Sequence, residues 1–189
     1  MEKLVNLCIL AMIDYGVITK EQKAIVRYGL DLLFSAIISL VSFAVLGMIL
    51  GVEVQTLLLL AVFIPLQSFG GGYHCQTHFR CWILMLVDYI LAIFVSGRVP
   101  MGLLWCGGIL SSFSFCKLAP IENPKAPFCK GFQKKMHKIV IEIYIITMLI
   151  AILMFVCGIE WGRLIFAAVS LSGFSIMFAK VDQLKRIKK

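Results

Sequence analysis

Ile139–Gly158 reads Ile-Val-Ile-Glu-Ile-Tyr-Ile-Ile-Thr-Met-Leu-Ile-Ala-Ile-Leu-Met-Phe-Val-Cys-Gly, apolar almost throughout. A helix needs roughly 20 such residues to cross a hydrocarbon core of about 30 Å. Working outward, five more stretches have the same character: Leu30–Leu50, Val52–Phe69, Cys81–Gly97, Met101–Leu118 and Gly162–Ala179. The whole composition agrees. The chain of 189 residues is 61% hydrophobic and 15% charged, where soluble domains have roughly 45–50% apolar and about 25% charged residues. Mean hydropathy is +0.98. These features predict an all-α integral membrane protein with six transmembrane helices, and a single membrane domain over residues 1–189 with no room for a sizeable soluble one.

The second span is the least regular. It carries Glu53, Gln55 and Gln67, and Pro65 predicts a kink near its end. A tilted or re-entrant course is the alternative there. The N-terminal segment, residues 1–16, is apolar but too short to cross, and an amphipathic helix lying in the membrane interface is expected. No small-residue cleavage site follows Met1–Ile13, so a cleaved secretory signal is not expected. Thr19-Lys20-Glu21-Gln22 matches a capping box, with Thr19 as N-cap and Gln22 reaching back.

Charge placement orients the bundle. With six spans, every Lys and Arg except Arg98 and Arg163 falls on one side. The positive-inside rule puts that side in the cytoplasm. It contains both termini, a glycine loop at 70–80, a lysine-rich loop at 119–138 and a basic tail at 180–189, around a bundle spanning 30–179.

Reactive side chains cluster in one place: Gly70-Gly71-Gly72-Tyr73-His74-Cys75-Gln76-Thr77-His78-Phe79-Arg80-Cys81. An imidazole can activate a thiol. His74 and Cys81 are seven residues apart, which in a straight helix separates them by about 10.5 Å along the axis. Proton transfer needs roughly 2.6–3.2 Å. If the two cooperate, the segment between them bends, and the glycines supply the freedom to do so. Cys81 would open the next helix, whose positive dipole end favours a thiolate. The loop N–H groups of Gly71 and Gly72 are candidate oxyanion donors.

Other readings of the cluster stay open. His74, His78 and Cys81, with Cys75 as a fourth ligand, have spacing adequate for zinc in a metal-handling membrane protein. A solvated loop with incidental histidines, in a non-enzymatic scaffold, is the plain alternative. The seven cysteines are odd in number, form no Cys-x-x-Cys pair and lie partly inside apolar runs. A disulfide framework is therefore not expected.

The pattern Gly71-Gly72-Tyr73-His74 with Cys81 seven residues after the histidine, in a small basic six-span chain, resembles the accessory gene regulator B family. The loop beginning Ala119-Pro120-Ile121-Glu122-Asn123-Pro124-Lys125 matches as well, and the resemblance covers nearly the whole chain. It implies a membrane cysteine endopeptidase that processes a quorum-sensing propeptide, with Cys81 as nucleophile and His74 as its partner. Gln67 stands where many members carry an Arg, which implies a supporting role. The implied substrate is a short amphipathic propeptide with an internal Cys and an acidic tail. Cleavage through an acyl-enzyme thioester, followed by attack of the propeptide's own Cys, would give a thiolactone autoinducer. Homodimerisation is a further expectation of the resemblance.

Around this core, Lys125, Lys130, Lys134 and Lys135 are positive-inside determinants and candidate contacts for the acidic tail. Asp88, inside an apolar run, is a functional suspect by position, or an interfacial carboxylate paired elsewhere. The basic C-terminus is expected to touch anionic lipid. No nucleic-acid partner, metal or other cofactor is expected.

Overall fold

The computed structural model describes residues 2–19, 21–71, 78–121 and 131–187. Its elements are helices α1 (Glu2–Asp14), α2 (Lys23–Leu50), α3 (Glu53–Gly70), α4 (His78–Arg98), α5 (Met101–Phe113), α6 (Phe132–Val156) and α7 (Trp161–Ile187), with a π-helical turn at Ser114–Leu118 continuing α5. No strand occurs among the described residues. Six helical stretches are long and apolar enough to cross a membrane: α2, α3, α4 from Phe79, α5 with its π-turn, α6, and α7 to Lys185.

The six spans match the apolar runs, but the helices run further at several ends. α2 starts at Lys23 rather than Leu30, α6 at Phe132 rather than Ile139, and α7 continues to Ile187 rather than stopping at Ala179. Apolar length marks only the part that needs lipid. Lys, Gln and Met are good helix formers, so the backbone pattern continues into the polar zone. Lys134 and Lys135 therefore stand on the first turns of α6. α3 remains helical through Pro65 up to Gly70.

Two compact units divide the chain, Met1–Leu46 and Gly47–Lys189. In the first, α1 buries Val5 and Ile9, one turn apart, and exposes Leu4, Leu7 and Leu10. An apolar stripe left outward on a short helix suits a lipid interface. Ahead of α2, Gln22 reaches back as its pattern predicts, Thr19 N–H donating to Gln22 Oε1 at 3.0 Å, but the helix begins at Lys23 and not directly after Thr19. A hydrogen bond from the Thr19 side chain also holds the exposed Glu21 carboxyl below its ordinary range.

In the second unit α7 is the hub. It packs against α3, α4, α5 and α6, and Leu164–Ser170 is buried without a break. Small residues make this possible. A Cβ added at Gly107 would lie 2.6 Å from Ser170 Oγ, and one at Gly173 would overlap Ser111. These close contacts within one chain follow the packing rule for membrane helices, where backbones approach through small residues. Several hydroxyls inside the spans bond carbonyls of their own helix. Ser111 donates to Gly108 O at 2.7 Å, Thr147 to Ile143 O at 2.7 Å and Ser170 to Phe166 O at 2.7 Å. Outward faces carry exposed Leu, Ile and Phe, such as Leu57, Ile109, Leu149 and Phe178. A hydrophobic exterior with internally bonded polar groups is what a lipid solvent selects.

Candidate active site

Three pieces of chain meet at one end of the second unit: the end of α3, the π-turn after α5, and the start of α6. Gly70 is buried where they join. A Cβ there would stand 3.2 Å from Val140 of α6, 3.4 Å from Ile176 of α7 and 3.4 Å from Phe115 of the π-turn. Gly71 N–H closes the last turn of α3 on Gln67 O at 3.0 Å. The backbone then turns out at Gly71 with φ 70° and ψ −179°. That combination belongs to glycine essentially alone, so the first residue of the glycine loop is fixed by backbone geometry.

The second loop is tied to the same point. Ile121 N–H donates to Gly70 O at 3.1 Å. A Cβ at Gly71 would meet Ile121 O at 2.7 Å. The π-turn delivers this strand of backbone: Ala119 N–H bonds Ser114 O at 3.0 Å, and fully buried Phe115 stacks on Tyr144 with centroids 4.9 Å apart. The Ala119–Pro120 peptide is cis. On the far side, His137 Nδ1–H donates to Ala119 O at 2.7 Å. A carbonyl only accepts, so the proton sits on Nδ1. Ser114 Oγ, buried beside this turn, has no hydrogen-bond partner. Such π-helical turns inside helices are frequent at functional sites.

Cys81 is the fourth residue of α4, on its first turn, with a partly exposed side chain. Asp88 lies seven residues further, about 10.5 Å along the axis by helix geometry, and is partly buried. Gln67 is partly buried on the last turn of α3. Lys134 and Lys135 are exposed at the start of α6. His74, Gly72, Cys75, Lys125 and Lys130 lie outside the described residues, as does the side chain of His78. Among the described residues no group of three or more His, Cys, Asp or Glu is arranged to hold a metal ion.

One residue escaped the sequence reading: His137. It is the only histidine outside the glycine loop, sitting within the lysine run that opens α6. That isolation was the available signal, because an imidazole among lysines at a membrane edge has no positive-inside rationale.

The opposite end of the unit is built differently. Arg163, near the start of α7, donates from Nε to Ser96 O at 2.8 Å and from Nη2 to Val99 O at 2.7 Å. It thereby satisfies carbonyls that the end of α4 leaves open. Arg98 lies over the Phe94 ring, 4.0 Å from its centroid. The two cations that fall on the poorly charged side are thus both engaged by the protein.

Fold and composition define a multi-pass membrane protein with six spans, whose distinctive backbone geometry is gathered at the feet of two loops. The accessory gene regulator B family model matches residues 5–178, and the chain belongs to that family. A protein of Clostridium perfringens strain SM101 described as AgrB-like is 25% identical over 162 residues, covering 80% of this chain and 76% of the relative. The accessory gene regulator protein B of Staphylococcus intermedius is 23% identical over 163 residues, covering 85% and 77% respectively. No solved structure matches the chain.

Proposed function

We propose that this protein is a membrane cysteine endopeptidase that removes the acidic tail of a quorum-sensing propeptide and returns the remainder as a thiolactone. The observation that carries the reading is the position of Cys81. It opens α4 ten residues after Gly71, whose backbone only glycine adopts, in a chain that belongs to the accessory gene regulator B family. Family membership supports a role in autoinducer processing, and the thiol supplies the chemistry.

His74 takes the Cys81 proton, and the thiolate attacks the carbonyl that joins the signal segment to the tail. His74 then gives the proton to the leaving amine. The C–N bond breaks, a thioester forms on Cys81, and the tail departs. The propeptide's internal Cys next attacks that thioester, its proton passes to Cys81, and the thiolactone leaves. One thioester replaces another, so the second step is close to neutral in energy. Water would end it irreversibly as a free acid, and a site at a lipid boundary disfavours that outcome. Lys134 and Lys135, with Lys125 and Lys130, attract the acidic tail. Gln67 and the loop N–H group of Gly72 support the site; the Gly71 N–H, expected from sequence as a second oxyanion donor, is instead taken up by Gln67 O at the end of α3. The charge asymmetry of the loops supports a site facing the cytoplasm, where a newly made propeptide arrives.

The test is co-expression with a short propeptide that carries an internal Cys and an acidic tail, followed by mass spectrometry. Wild-type protein is expected to give tail-less cyclic product. Cys81→Ser and His74→Ala are expected to leave the propeptide intact. Processing that vanishes with a chelator and returns with zinc would instead support the metal-handling alternative.

A further inference from the structure

We propose that His137 is a positioning residue that clamps the foot of the glycine loop through the Ala119–Ile121 backbone; its catalytic consequence rests on the function proposed above. The path is short and continuous. His137 Nδ1–H holds Ala119 O at 2.7 Å. Two residues on, Ile121 N–H holds Gly70 O at 3.1 Å, the carbonyl at the end of α3. Ile121 O then lies where any Cβ on Gly71 would come within 2.7 Å. The segment is thus held from α6 on one side and holds α3 on the other.

The geometry fits a device for placing a loop better than a device for stability alone. The core beneath it is already packed by Leu66, Phe115, Val140 and Ile176, all buried. The clamp adds direction. It fixes where the chain leaves α3 toward His74, and where it leaves the π-turn toward the lysine loop. One imidazole therefore couples the exit of the loop that carries the proposed base to the exit of the loop proposed to meet the substrate's tail. A displacement of about 1 Å at a reacting group can cost on the order of 100-fold in rate, so a residue that aims the loop affects turnover without touching substrate.

Asn places an N–H donor at nearly the same distance from Cβ as His Nδ1, whereas Leu fills similar space with no donor. Two measurements on purified protein in nanodiscs separate the possibilities. In hydrogen–deuterium exchange, the Ile121 amide is expected to exchange faster in His137→Leu and to recover protection in His137→Asn. With the propeptide, His137→Leu is expected to lose about 10-fold or more in kcat at little change in KM, and His137→Asn to restore most of it. Thermal unfolding checks that both variants remain folded. Unchanged exchange at Ile121 in His137→Leu overturns the clamp, whatever the activity. Faster exchange with unchanged kcat overturns the positioning role. Wild-type protein that protects Ile121 through His137 yet does not process the propeptide contradicts the proposed function and leaves the clamp standing.

Discussion

The two ends of the second unit solve the same problem in opposite ways. Each end must satisfy carbonyls where helices stop. At the Arg163 end, α4 and α5 are joined by Val99-Pro100 alone, and α6 and α7 by residues 157–160. A single guanidinium bridges α7 to one carbonyl of α4, Ser96 O, and to Val99 O in the joint after it. At the Gly70 end, the connections are long, and backbone meets backbone: Ile121 to Gly70, with His137 behind it on Ala119. At the first end a charged side chain and short joints do this. Neutral backbone contacts at the feet of long loops fix only where those loops begin. The proposed chemistry thus belongs to the end closed by backbone contacts, and the guanidinium closes the other.

The largest effect is expected at the Arg163 end. Arg163→Gln removes both hydrogen bonds and is expected to cost about 2 kcal/mol of stability. Thermal unfolding in detergent reads the loss. Processing per folded molecule should stay unchanged, because the proposed site is at the other end. A selective loss of turnover with no change in melting would contradict the division.

A smaller effect is expected midway. Thr56 Oγ1 donates to Val52 O at 2.8 Å and so accepts from the Tyr89 hydroxyl at 2.6 Å, linking α3 to α4. Thr56→Val removes that link, and roughly 0.6–1.7 kcal/mol is the scale for such bonds inside membranes. The same melting measurement checks it, with Cys81 alkylation by a maleimide expected to change little.

The smallest change in the protein itself should come at the open end. Lys134→Gln combined with Lys135→Gln alters two exposed cations and should leave the melting temperature in place. KM for a propeptide with an acidic tail should rise a few-fold, and the salt dependence of KM should flatten, since screening acts within about 10 Å at 0.1 M salt. If a propeptide with a neutral tail shows the same rise, the lysines do not act through charge.

Much of the fold was legible from the sequence because a bilayer imposes length. The six apolar runs each had to be about 20 residues, and each is a helix. The reach-back of Gln22 to Thr19 N–H was legible because its pattern is local. Helix ends were not, since α6 begins in Gln133-Lys134-Lys135, where helix propensity rather than apolar length decides. The π-turn at Ser114–Leu118 and the Ile121–Gly70 bond left no pattern to read. Both are made by backbone atoms, which carry no residue identity, and the second joins residues far apart in the chain. Gly71 was legible as part of a glycine run, but the reason for that glycine, a positive φ against Ile121 O, emerges only with the second loop in place. The close approach of α5 and α7 at Gly107 and Gly173 depends likewise on what stands opposite each glycine, Ser170 and Ser111.

The central claim is that Cys81 carries the acyl group. Its most direct test uses a propeptide whose internal Cys is replaced by Ala, so that the second thiol attack cannot occur. Intact-mass analysis of the purified protein after incubation should show one added signal segment, without the tail, mapped to Cys81 and released by hydroxylamine. Tail release without any adduct, or an equal rate of tail release by the Cys81→Ser protein, would contradict it.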